Sequence, residues 1–129
     1  MSSILKVVLA FLVFVLIQST SARLVWKIKP QEYQIAKEFD NVKLNCEFEN
    51  LNPNNGQNYF VIWYKDGSSQ NFISLNDQLA NLNATNYEIV GKYNLIIKNV
   101  TRNNSGVYTC QLFQSSELIA SVNLTVLGK

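Results

Sequence analysis

Residues 95–110 read LIIKNVTRNNSGVYTC. Leu95, Ile97 and Val100 have the spacing of a strand's inward face, and an Asn/Ser/Gly turn then leads into a second strand. On that second strand Tyr108 and Cys110 share one side, because side chains alternate across an extended chain. A tyrosine two residues ahead of a cysteine, just past a corner, predicts a phenol pinned to the backbone of the corner and a thiol aimed into a core.

Upstream, the only other cysteine is Cys46. Val42, Leu44 and Phe48 flank it on the alternating positions of VKLNCEF, so it too reads as the inward residue of a strand. Trp63 lies between the two cysteines in the strand-like run YFVIWYK. This order of Cys, Trp and Tyr-x-Cys resembles the immunoglobulin superfamily, over nearly all of the chain from about Val25 to Leu127. The resemblance implies an all-β fold: a two-sheet antiparallel immunoglobulin-like sandwich with one inter-sheet disulfide, Cys46 to Cys110, and a core built around Trp63 and Tyr108. It also implies a domain between the variable and intermediate types.

At the start of the chain, Lys6 precedes an unbroken apolar run over residues 7–17, followed by Gln18-Ser19-Thr20-Ser21-Ala22. A basic residue, a short apolar stretch and small residues at Thr20 and Ala22 predict a cleaved secretory signal peptide over residues 1–22. The apolar run is well short of the roughly 20 residues a spanning helix needs. No second run of that length occurs, and Leu127-Gly128-Lys129 carries no lipid-anchor signal. The expectation is a single immunoglobulin-like domain over residues 23–129, secreted and extracellular, where cysteines oxidise.

Charge excludes some partners. Eleven Lys and Arg stand against nine Asp and Glu, with no His, and there is no basic block, so nucleic acid and anionic membrane are poor partners. Enzyme chemistry has little footing either. There is no histidine, both cysteines are assigned to the core, and no phosphate-cradling loop, zinc spacing or calcium loop is present. No catalytic residue, metal site or cofactor is expected.

Further strands are predicted along the chain: residues 24–28, ending before Pro30; a crossing between sheets near residues 33–36; 42–48; 59–65; 71–75; 87–89; 93–98; 107–114; and 119–127. On the last of these Ala120, Val122, Leu124 and Val126 have inward parity. Residues 50–58 form a turn-rich loop, and residues 76–85 a polar connection. Trp26 reads as a plug of the core, with a surface aromatic as the alternative. The family's usual Asp at the corner, paired with an Arg on the strand at residues 87–89, is replaced by Asn104, and neither mature arginine (Arg23, Arg102) lies in that strand.

Two sets of surface residues carry functional expectations. Asn83, Asn99, Asn103 and Asn123 each head an Asn-x-Ser/Thr triplet and are candidate glycosylation sites. Alternation from Cys110 and Trp63 puts Gln111 and Phe113, with Ile62 and Tyr64, on the outside of neighbouring strands, and Ile119 joins them if the intervening turn has an odd number of residues. These five residues form an apolar, aromatic strip on the face of the strands lettered G, F, C and C' in the family, a favourable anchor for a protein. Asn123 is expected on the same face, opposite Thr109. The resulting expectation is a secreted protein-binding module for cell-surface recognition or adhesion, with a cell-surface or secreted partner that could be another immunoglobulin-like domain or a second copy. The alternative is a soluble secreted factor that sequesters a ligand or modulates a receptor or immune target.

Overall fold

The computed structural model describes residues 25–49, 60–65, 72–113 and 118–128. The expected leader, the loop at 50–58, the turn after Lys65 and the tip at Gln114 lie outside the described residues. The strands are β1 (Val25–Ile28), β2 (Tyr33–Lys37), β3 (Val42–Leu44), β4 (Glu47–Glu49), β5 (Val61–Lys65), β6 (Phe72–Leu75), β7 (Gln78–Leu79), β8 (Tyr87–Val90), β9 (Asn94–Ile97), β10 (Gly106–Leu112) and β11 (Ile119–Leu127). One layer is a six-stranded sheet in the order β2-β11-β10-β5-β6-β7, and β3-β9-β8 together with β1-β4 form the rest of the sandwich.

Period-two alternation decides which way each strand faces. On β11, Val122, Leu124 and Val126 are buried while Ser121, Asn123, Thr125 and Leu127 are exposed. Tyr108, Cys110 and Leu112 of β10 and Val61 and Trp63 of β5 turn the same way. They meet Val42, Leu44, Leu95, Ile97 and Val100 in one continuous apolar cluster. Each fully buried aliphatic side chain of this kind contributes about 1.5–3 kcal/mol.

The Cys46–Cys110 disulfide spans the layers with a Cα–Cα distance of 6.5 Å. Trp63 is fully buried, and its indole Nε1 donates to the Tyr93 carbonyl at 2.6 Å, so the ring's one polar atom is satisfied. The Tyr108 hydroxyl donates to the Asn104 carbonyl at 2.6 Å, which is the predicted pinning of the phenol onto its corner. Asn104 itself holds the corner, its Oδ1 accepting from the Thr101 amide at 2.8 Å across a single 3-10 turn, Arg102–Asn104. Lys65 closes the same end: its Nζ donates to the Asn103 carbonyl at 2.9 Å and sits 5.5 Å from the centre of the Tyr108 ring. Arg102 pairs with Glu38 at 3.6 Å. Backbone capping and a lysine thus occupy the corner where an Arg–Asp pair is usual.

Three features depart from expectation. Residues 42–48 do not form one strand, because the Cys46 amide donates to the buried Asn94 Oδ1 at 2.8 Å in place of a ladder partner. The ladder breaks there, so β3 pairs with β9 while β4 pairs with β1. Trp26 on β1 stacks on Phe48 with ring centroids 4.5 Å apart and packs against the core, as its reading as a plug requires.

Second, the sandwich is not wholly antiparallel, since β2 runs parallel to β11. The crossing expected near residues 33–36 places this strand beside the last one. Third, the connection expected at 76–85 begins with a tight hairpin into β7. Asn76 takes a left-handed φ of 54°, and it clasps Val61 twice: its amide donates to the Val61 carbonyl at 2.7 Å, and its Oδ1 accepts from the Val61 amide at 2.9 Å. Asparagine tolerates that backbone conformation and bonds backbone groups locally, so it can replace a glycine here.

Candidate protein-binding face

The six-stranded sheet has one face on the core and one outside. Strand pairing sorts the outer face into rows. Phe113 and Phe60 lie at one end, the Phe113 amide donating to the Phe60 carbonyl at 2.7 Å. The next row runs Leu75, Ile62, Gln111, Ile119, and the one after it Phe72, Tyr64, Thr109, Ser121. Beyond these come Val107, Asn123 and Tyr33, then Thr125 and Ile35.

Phe113 is 53% exposed, Ile119 42%, Phe60 38%, and Phe72 and Leu75 37% each. None of the side chains in the first three rows is charged. Tyr64 and Gln111 are half-buried and joined by a long hydrogen bond from the phenol to Gln111 Oε1 at 3.4 Å. The Thr109 and Ser121 hydroxyls bond each other at 2.7 Å, so the patch ends on a polar pair whose hydrogen-bonding capacity is partly met internally.

Of the five expected contact residues, Phe113 and Ile119 stand out from the surface, and Tyr64 and Gln111 lie between them and β6. Ile62 has the expected parity but is only 6% exposed. It sits on a central strand between Leu75 and Gln111 and forms the floor of the patch, not its contact surface.

Phe72 and Leu75 were not among the expected contacts, yet they widen the patch across β6. A register irregularity between Trp63 and Tyr64 sets Phe72 opposite Tyr64 while Ser74 stays opposite Trp63, and simple alternation cannot foresee such a bulge. Asn123 is on the outer face but pairs with Val107; it is Ser121 that faces Thr109. The expected position of Asn123 is therefore corrected by two residues, which moves it away from the Phe113 end. Asn83, Asn99, Asn103 and Asn123 are all exposed. Among the described residues no group of acidic, His or Cys side chains is placed to hold a metal ion.

The comparisons with known proteins agree with this architecture. Solved structures that the chain resembles include the RIG-5 IG1 homodimer (TM-score 0.65, 20% identity, covering 82% of this chain and 99% of that one). Dpr1 IG1 bound to DIP-eta IG1 gives a TM-score of 0.63 at 18% identity, covering 82% and 97%. The Ig1 domain of mouse SynCAM 2 gives 0.59 at 21%, covering 78% and 97%. At these identities the likeness is one of fold. No curated protein sequence matches the chain. The family model described as "Immunoglobulin domain" matches residues 26–126, the span that holds both sheets, the disulfide and the tyrosine-pinned corner, and the chain belongs to the immunoglobulin superfamily.

Proposed function

We propose that this chain is an extracellular protein-recognition module, docking another immunoglobulin domain, or a second copy of itself, through the Phe113 end of the outer sheet face in cell-surface recognition or adhesion. One observation carries the reading. Phe60, Phe72, Leu75, Phe113 and Ile119 are each more than a third exposed, lie on neighbouring rows of one sheet face, and are free of charged neighbours within those rows. An aromatic patch on rigid strands loses little conformational entropy on docking, and a centre without charges avoids the desolvation cost that weakens interfaces. The similar structures are described as a homodimer and as a bound pair of immunoglobulin domains, which supports the same kind of partner here. Secretion by way of the apolar leader is part of this reading, and the disulfide fits an oxidising compartment.

Sedimentation velocity tests it, on the purified domain alone over a range of concentrations and mixed with cell-surface immunoglobulin domains, with Ile119→Lys alongside. The reading expects an association that Ile119→Lys abolishes. Association that survives a lysine at this position places the interface elsewhere and overturns the assignment.

A further inference from the structure

The other end of the same face poses a different problem. β2 is the outermost strand of its sheet, and its outward side chains include Tyr33, 70% exposed, and Ile35, 69% exposed. An edge strand with bare apolar side chains is a template for unwanted pairing unless something blunts it. On the outward positions of β2 only Lys37, at the far end, carries a charge.

The neighbouring strand holds a triplet suited to supply the missing protection. Tyr33 is the register partner of Asn123, and Ile35 that of Thr125. Asn123-Leu124-Thr125 satisfies the acceptor rule for N-glycosylation. Alternation buries Leu124 and leaves Asn123 and Thr125 exposed beside the two apolar residues.

We propose that Asn123 carries an N-linked glycan whose first sugar rings lie over Tyr33 and Ile35 and cover the apolar side of the edge strand. The donor is an oligosaccharide held on a lipid pyrophosphate. Asn123 Nδ2 forms a bond to C1 of the terminal sugar as the C1–O bond to pyrophosphate breaks. The bonding pair leaves with the lipid pyrophosphate, and the amide gives up one proton to a base of the transferring enzyme, with no change of oxidation state. A bulky, hydrated group here excludes strand addition at the edge. The proposal does not depend on the docking reading, although the two are compatible: Asn123 is four residues from Ile119 along β11, about 13 Å at the rise of a strand.

The full chain is produced in a glycosylating eukaryotic cell and recovered from the whole culture. The peptide containing Asn123 is then weighed before and after the amidase that releases N-glycans. Thr125→Ala removes the acceptor rule and keeps Asn123. The expected results are a hexosamine-bearing wild-type peptide, and a Thr125→Ala chain smaller by one glycan that binds an apolar-surface dye several-fold more strongly. Adding Tyr33→Ser and Ile35→Thr to Thr125→Ala returns dye binding to the wild-type level. Unmodified Asn123 overturns the proposal, and so does a glycan whose loss leaves dye binding unchanged. If Thr125→Ala fails to fold, enzymatic release of the glycan from folded wild type gives the same comparison.

Discussion

Both faces of the six-stranded sheet carry large apolar side chains, but they differ in what covers them. On the inner face Trp63, Tyr108, Cys110, Val122 and Leu124 are at most 1% exposed, each packed into the cluster shared with the opposite layer. On the outer face Phe60, Phe113 and Ile119 are 38–53% exposed. The inner residues have their stabilising contacts within the chain. The outer ones contribute little to folding, so their apolar character is available to a partner. The comparison separates residues that hold the sandwich together from residues that the sandwich presents.

The same chemical change should therefore act very differently on the two faces. Val122→Asp buries a charge with no counter-ion in the inner cluster and should destabilise by more than about 4 kcal/mol, which leaves the chain unfolded in a denaturant titration. Removing the disulfide with Cys46→Ala and Cys110→Ala opens a link between residues 64 apart. On the chain-entropy account, this costs about 4 kcal/mol, read as a lower urea midpoint. A smaller loss of about 1–2 kcal/mol is expected from Tyr108→Phe, which removes the donor to the Asn104 carbonyl and leaves that acceptor unsatisfied.

Alkaline pH adds a test through two phenols packed against the inner cluster. Burial pushes the Tyr87 phenol above its ordinary 10.0, with a hydrogen bond to Tyr108 working in the opposite direction. Burial, then the nearby Asp77 carboxylate, also raises Tyr93. A phenol that holds its proton more tightly in the folded chain gives stability that is fully present below about pH 10 and is lost as pH rises through the folded value. Melting temperature should thus fall above pH 10, and Tyr87→Phe and Tyr93→Phe should each flatten the fall.

How far the sequence could be read follows the same division. Tyr108, Cys110, Cys46 and Trp63 are legible because their order resembles the immunoglobulin superfamily, and alternation from these inward residues then orients every neighbour on their strands. What alternation could not supply was anything set by a side chain that replaces backbone pairing. Asn94 accepts the Cys46 amide and splits one expected strand into β3 and β4, and Asn76 clasps Val61 and turns the chain into β7. Both are asparagines in a chain rich in that residue, so neither stands out. Register was also hidden: the pairing of Asn123 with Val107 depends on the β10–β11 turn, and the position of Phe72 on an irregularity in β6. Alternation gives Ile62 an outward parity, but exposure depends on the bulk of neighbours on adjacent strands, and that is a property of the assembled sheet.

The claim that the outer face is presented rather than structural is tested most directly by Phe113→Asp, measured for melting temperature and for association on the same preparation. The account predicts a melting temperature within the small range of ordinary surface substitutions, about 0.5 kcal/mol in stability, together with loss of association. A variant that melts far lower, or one that associates as the wild type does, would contradict it.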